Sequence, residues 1–349
     1  MKVLLLGEYS GLFSNLKDGL LELGNEVILV ADGDGWKKVQ GATFNLNKSS
    51  NKHFKTLKDI STYKNYDIVQ LINTEILSRK INSIAIAILK KNNGRLVLSS
   101  AGDDYFVYKA YQEGKYRYYV YDDYKEIENL YDTRRLLGKV IKYDDINVVK
   151  LADAIIPISY EYAEAYRKLK KTQITVPIPI NCSKVPYTEN LVRNGKVVFF
   201  HGINRNTAKG SSYIIAAMKK VKERYPNDVE IIINERMPLN KYLEAMEKTN
   251  VVLDQCKGYG WGMNAVYSLA EGKITLSGNE PEALSELGIS ESPIYNITPN
   301  SEQIEQVMEQ IIDCKNTITE RGFKSREFAE KFHNHVKVAQ QYLDIWRTI

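Results

Sequence analysis

Short apolar runs, each closed by a polar or glycine-containing turn and followed by a segment with helical spacing, constrain this chain more than any other feature. Lys2-Val-Leu-Leu-Leu-Gly7 reads as a strand, Leu12, Leu16, Leu20 and Leu23 as the apolar face of a helix, and Glu26-Val-Ile-Leu-Val-Ala31 as a second strand. Further runs at 67–72, 95–99 and 154–158 alternate with helices expected over 75–91 and 160–170. Continuous apolar runs suit strands buried on both faces, and their alternation with helices predicts an α/β fold with a mainly parallel sheet.

The rhythm breaks once. Residues 176–195 hold Pro177, Pro179 and Pro186, which disfavour helix and favour extended chain. It then restarts with strands expected at 197–201, 229–234, 251–254 and 274–276, and helices near 210–224, 239–247, 263–271 and 281–286. The remainder is helical, over 301–314, 318–332 and 335–346. A length of 349 residues fits two domains. The expectation is therefore two doubly wound, Rossmann-like domains facing a cleft. The first spans 1–178, the second 179–332, and a C-terminal helix over 333–349 returns to the first. In such sheets ligands lie beyond the carboxyl ends of the strands, so the residues just after each strand carry the most information.

A hydrophobic content of 44% excludes disorder as the main state. The net charge of +5 resides in one half: residues 1–180 hold 27 Lys and Arg against 22 Asp and Glu, while 181–349 balance at 21 each. A basic first half suits an anionic membrane surface or a phosphorylated ligand. It carries no nucleic-acid recognition motif, so no nucleic-acid partner is expected. Cys182, Cys256 and Cys314 are odd in number and widely spaced, which argues against a disulfide framework and against zinc. With no apolar run of signal-peptide or membrane-span length, the expected location is cytoplasmic, with membrane contact peripheral, through the basic half on the inner face.

The strongest chemical signal is His201-Gly-Ile-Asn-Arg-Asn-Thr-Ala-Lys-Gly210, which follows the first strand of the second domain and opens a helix near Gly210. Arg205 and Lys209 supply two cations, and the helix start supplies backbone N–H groups, a combination suited to a diphosphate. His201, at the strand end, either touches phosphate or sugar or is a polar strand terminus. Asp254 and Gln255 end another strand at the same edge, where they either contact ligand or cap the next turn.

These residues resemble GT-B glycosyltransferases of the retaining family-4 type. The second block, Asp254-Gln-Cys-Lys-Gly-Tyr-Gly-Trp-Gly-Met-Asn-Ala-Val-Tyr-Ser-Leu-Ala-Glu-Gly-Lys273, matches the family's Glu-Gly-Phe-Gly, four residues, Glu, Gly-Lys pattern without a gap. Ser277-Gly-Asn-Glu-Pro-Glu282 matches its Gly-Gly-x-Pro-Glu turn. The resemblance covers the second domain and is architectural in the first. It implies transfer of a sugar from a nucleotide-diphosphate sugar, with retention and without metal or other cofactor, to a glycan or lipid-linked acceptor in cell-surface polysaccharide or glycoconjugate synthesis. Arg205 and Lys209 would stabilise the departing diphosphate. Donor contacts would come from Gly11, His201, Gly210, Asp254, Gln255, Tyr259, Gly262, Met263, Asn264, Tyr267 and Glu282. The sequence departs from the family at both glutamates of the pair, which are Tyr259 and Tyr267 here. Tyrosine is uncharged at neutral pH, and this motivates the alternative of a non-catalytic GT-B subunit supporting a partner enzyme.

On the acceptor side, Gly7-Glu-Tyr-Ser-Gly11 is either a close-approach loop for the donor or an ordinary tight turn. Ser99-Ser-Ala-Gly-Asp-Asp-Tyr105 has Ala101 where the family carries histidine, which leaves Asp103 or Asp104 as the nearest ionisable group. Asp104 either takes the acceptor proton or caps the following helix. Eight tyrosines between 105 and 124, interleaved with Lys109, Lys115, Arg117 and Lys125, suggest an acceptor-binding surface or a half-buried helix and loop.

Overall fold

The computed structural model describes residues 1–31, 44–45, 53–123, 125–203, 209–235 and 239–349. Arg205 and Tyr124 lie outside them.

The chain forms two compact units. The first comprises Met1–Tyr116, Glu126–Asn181 and Asn334–Ile349; the second comprises Arg117–Lys125 and Cys182–His333. The change of unit after Asn181 lies within the proline-containing stretch. The excursion of Arg117–Lys125 into the second unit has no counterpart in the sequence reading.

In chain order the first unit runs β1 (Lys2–Leu6), α1 (Leu12–Glu22), β2 (Glu26–Ala31), β3 (Phe44–Asn45), α2 (His53–Ile60), β4 (Ile68–Leu71), α3 (Asn82–Asn92), β5 (Arg95–Ser100), α4 (Tyr105–Gln112), α5 (Lys125–Tyr131, its first residue in the second unit), α6 (Leu136–Leu151), β6 (Ala154–Pro157) and α7 (Tyr160–Tyr166). Among the described residues its sheet is parallel, with strand order β3-β2-β1-β4-β5-β6. β1 therefore has β2 on one side and β4 on the other, which is the topological switch point of a doubly wound sheet. The strands read as apolar runs because both faces are covered: Val3, Leu4, Leu5, Val69, Val97 and Leu98 are fully buried. α3 starts at Asn82, later than the expected 75. The Asn82 side chain accepts from the N–H groups of Ile76 and Leu77 and donates to the Thr74 carbonyl, which holds the preceding residues in a loop.

The second unit runs β7 (Val197–Ile203), α8 (Ser211–Arg224), β8 (Val229–Glu235), α9 (Leu239–Lys248), β9 (Val251–Leu253), α10 (Met263–Ala270), β10 (Ile274–Ser277), α11 (Pro281–Glu286), β11 (Tyr295–Asn296), α12 (Ser301–Asp313) and α13 (Ile318–Phe332). Its described sheet is also parallel, in the order β11-β10-β9-β7-β8, so its switch point lies between β7 and β9. Val197, Phe199, Val251, Leu253 and Leu276 pack with Ile214, Met218 and Val221 of α8 and with Ile304, Met308 and Ile311 of α12.

The last helix, α14 (His335–Thr348), belongs to the first unit and packs on α1. Gly19 permits this: a β-carbon there would run into the His335 carbonyl. His335 Nε2 lies 2.8 Å from Glu22, and Trp346 Nε1 donates to buried Gln70 at 2.9 Å. Among the described residues no helix is long and apolar enough to cross a membrane.

Candidate functional site

Each unit places a helix start at its switch point, and the two starts are used in opposite ways. In the first unit the turn after β1 is shaped by Gly7, Ser10 and Gly11, all with positive φ. Buried Glu8 folds back over it. Its carboxylate accepts from the backbone N–H groups of Gly11 (3.1 Å), Phe13 (3.2 Å) and Ser14 (2.8 Å) and from the Ser14 hydroxyl (2.7 Å). Burial pushes the Glu8 carboxyl up, while these donors pull it down. The positive end of α1 thus already holds an anion, and the turn at Gly11, expected to allow close approach of a donor or to be an ordinary tight turn, gives its N–H to Glu8.

In the second unit the corresponding end of α8 is capped only by Gly210, at φ 69° and ψ 33°, with no side-chain cap. Glycine is required there twice over: φ is in the left-handed region, and a β-carbon would collide with Cys256 Sγ. Among the described residues the N–H groups of Ser211 and Ser212 have no partner. Beside them Lys209 Nζ donates to Asp254 Oδ1 at 2.6 Å, and Asn264 Nδ2 donates to the same oxygen at 3.0 Å. Asp254 is 1% exposed and Lys209 16%, so the pair is largely desolvated. Lys209 precedes α8, Asp254 follows β9, and Asn264 lies in the first turn of α10. The three meet across the β7–β9 switch point.

His201 ends up in neither of its expected ligand roles. It is fully buried, with Nδ1 2.8 Å from the Leu253 carbonyl and Nε2 2.9 Å from Ser211 Oγ. A carbonyl can only accept, so Nδ1 carries the proton and Nε2 accepts from the Ser211 hydroxyl. Burial is the main cause that lowers its pKa from 6.5 to about 4, which keeps the ring neutral. His201 is a brace between β7, β9 and α8. Because the folded pKa is depressed, its contribution is complete above about pH 6.5 and is lost as pH falls through about 4. That amounts to about 3 kcal/mol. Melting temperature should therefore fall between pH 6.5 and 4, and His201→Gln should flatten that part of the profile. An equally steep profile in the variant would refute the assignment.

The other expected residues cluster around the loop after β9. Gln255 Nε2 donates to the Gly260 carbonyl at 3.2 Å. Gly262 is the extended N-cap residue of α10, Met263 is its first residue and 8% exposed, and Tyr267 is half-buried one turn further on. The loop is locked to the next one: Glu280 N–H donates to the Tyr259 carbonyl at 2.9 Å, and Gly278 lies against the Gly258 carbonyl too closely for any β-carbon.

Tyr259 and Glu282 turn away from their expected donor contacts. The Tyr259 ring, 1% exposed, stacks on Tyr118 with centroids 5.2 Å apart, and the Arg117 guanidinium lies 4.9 Å from its centroid. Its hydroxyl accepts from the Arg117 N–H. Arg117 forks onto Glu282 and donates to Glu280 Oε2 at 2.7 Å, and the Tyr118 hydroxyl donates to Glu280 Oε1 at 2.7 Å. Asp123 pairs with Lys257, which is 1% exposed. Arg117, Tyr118, Lys257 and Glu280 were not identified as a cluster from sequence. The available signal was the density of tyrosine and cationic residues around 117.

Asp104 is also reassigned. It is fully buried and caps α4, with Oδ1 accepting from Phe106 N–H (2.8 Å) and Val107 N–H (3.1 Å) and Oδ2 accepting from the Tyr166 hydroxyl. Burial and, after it, the Asp145 charge push its carboxyl up to about 7. With both oxygens engaged inside the unit, it has no face for an acceptor hydroxyl. The tyrosines divide similarly: Tyr108, Tyr116, Tyr119 and Tyr121 are core residues. Among the described residues, buried polar atoms without partners include, at the ends of β4 and β5, Asn73 Oδ1, Thr74 Oγ1 and Ser100 Oγ. Among the described residues no group of three or more His, Cys, Asp or Glu could hold a metal ion.

No family model matches the chain, and no curated protein matches it. Solved structures do. HepE of Anabaena, in complex with UDP and glucose, is similar over 100% of both chains at a TM-score of 0.63 and 12% identity. Sucrose-phosphate synthase from Thermosynechococcus elongatus is similar over 100% of this chain and 99% of its own, at 0.63 and 14%. A UDP-GlcNAc 2-epimerase from Neisseria meningitidis, bound to UDP-GlcNAc, covers 100% of both chains at 0.57 and 12%. The chain has the GT-B fold, with two Rossmann-like units.

Proposed function

We propose that this chain is a nucleotide-sugar-dependent glycosyltransferase. The observation that carries the reading is the second switch point. There an uncapped helix start and a lysine held by Asp254 lie together, in a fold shared with proteins solved in complex with UDP and UDP-sugars. The ammonium of Lys209 has three donors and spends one on Asp254. The other two, the N–H groups of Ser211 and Ser212, and Arg205 from the same loop would bind the diphosphate. As the bond between the sugar's anomeric carbon and the diphosphate breaks, charge develops on the leaving oxygen. Donors held near that oxygen would lower the barrier. The acceptor, a glycan or lipid-linked sugar, would meet the first unit near Asn73, Thr74 and Ser100. Retention, independence of metal, a role in cell-surface polysaccharide or glycoconjugate synthesis, and peripheral contact with the inner membrane face complete the proposal.

The test is thermal stability in the presence of UDP, GDP, ADP, dTDP and CMP, followed by the matching sugars. A ligand at 100 times its dissociation constant adds roughly 2.7 kcal/mol of stability. Selective stabilisation by one nucleoside diphosphate is the expected result. No stabilisation of the folded protein by any of them would sink the reading. The engagement of Tyr259 with Arg117 and Tyr118, away from a sugar, favours a second reading as a non-catalytic subunit. Tight nucleotide-sugar binding without transfer or hydrolysis would select it.

A further inference from the structure

The second unit carries a strap from a distant part of the sequence. Residues 117–123 lie across the loops that follow β9 and β10, tied at three places. Arg117 and Tyr118 bind Glu280 and Glu282, the Arg117 N–H binds the Tyr259 hydroxyl, and Asp123 binds Lys257. Glu280 is saturated: Tyr118 and Asn296 donate to Oε1 and Arg117 to Oε2. Glu282 spends both oxygens on Arg117.

Charge gives this arrangement a purpose. β7, β9 and β10 are consecutive in the sheet, and neighbouring strands lie about 4.8 Å apart. The carboxyl ends of β10 and β7, which lead to these carboxylates and to Lys209, are therefore on the order of 10 Å apart, about one Debye length at 0.1 M salt. Two uncompensated carboxylates at that range oppose a diphosphate. An Arg guanidinium matches them with a rigid fork of donors and keeps its charge at every relevant pH.

We propose that Arg117 is a positioning residue of the anion site, which cancels Glu280 and Glu282 and fixes their loop so that the edge beside Lys209 accepts a nucleoside diphosphate. The inference rests on the proposed function. It adds that diphosphate selectivity depends on a residue that does not touch the ligand.

The experiment is calorimetric titration of wild type and Arg117→Ala with UDP, GDP, ADP and dTDP, and with the matching nucleosides. Binding of the selected diphosphate should weaken about tenfold in the variant, and more at low salt than at high salt, while binding of its nucleoside stays within about twofold. Adding Glu280→Gln and Glu282→Gln to Arg117→Ala should restore the diphosphate affinity. A merely structural role predicts equal loss of nucleoside and diphosphate, no salt dependence and no rescue, and any of these overturns the proposal. Should Arg117→Ala fail to fold, Glu280→Gln with Glu282→Gln in the wild-type background should tighten the diphosphate several-fold. Unchanged or weaker binding there overturns it equally. Wild-type protein that binds no diphosphate overturns the functional reading, and this inference with it. Wild-type binding that Arg117→Ala leaves intact overturns this inference alone.

Discussion

Replacing Lys209 with methionine is expected to weaken nucleoside-diphosphate binding by roughly 10- to 100-fold, the equivalent of a lost charged hydrogen bond of about 1.5–3 kcal/mol. The same change should destabilise the second unit, because Asp254 is 1% exposed and loses its only cationic partner among the described residues. Breaking a buried ion pair from one side costs about 3–5 kcal/mol. The lower end applies here, since Asn264 still donates to Asp254 Oδ1. The two effects separate in the double variant Lys209→Met with Asp254→Asn. It carries no orphaned charge, so its melting temperature should recover most of the loss, but with no ammonium its affinity for diphosphate should not recover. Full recovery of both would mean that Lys209 serves the fold alone. Melting curves and titration of the three proteins decide the matter.

Glu8→Ala should produce the second large effect, in the first unit. Four donors lose their acceptor together, three of them backbone N–H groups in the first turns of α1. A loss of about 2–4 kcal/mol follows from unsatisfied buried donors and the helix dipole. The vacated position suits an external anion. Sulfate or phosphate at 100 mM, bound with a dissociation constant near 1 mM, would return about 2.7 kcal/mol. Chloride at equal ionic strength should do much less, and wild type should show no such difference between the salts. Equal stabilisation of both proteins by phosphate would remove Glu8 from this role.

Much of the fold was legible in the sequence because parallel strands buried on both faces leave continuous apolar runs, as at 2–6 and 251–253. The two-residue strands β3 and β11 left no such run. The helices α4 and α6 were not singled out because tyrosines and charges interrupt their apolar spacing. That Lys209, Gly210 and Asp254 lie together could be read from their positions after strands, since topology alone brings those ends together. His201, Asp104 and Gly11 stood at equally good positions and serve the framework instead. Residue type and position are the same for a buried brace and for a ligand contact, and only the partner distinguishes them. Tyrosine has the same ambiguity. A ring that can stack on a sugar can equally stack on another ring, as Tyr118 does on Tyr259. The strap was invisible because nothing local ties Arg117 to residues more than 160 positions away.

The interleaving of the two units also sets an order of events during synthesis. The first unit is completed by α14, which emerges after all of the stretch from Cys182 to His333, while the second requires Arg117–Lys125, made well before it. At about 5–20 residues per second, that stretch takes roughly 8–30 s to make. Through that interval the face of α1 around Gly19 stands uncovered, and for about its first two-thirds, until Glu280 and Glu282 are made, Arg117 has no carboxylates to bind. The nascent chain thus presents an apolar helix face and an unpaired cationic, tyrosine-rich segment together. A holding chaperone would be expected to engage it at that stage and to release it once residues 334–349 appear.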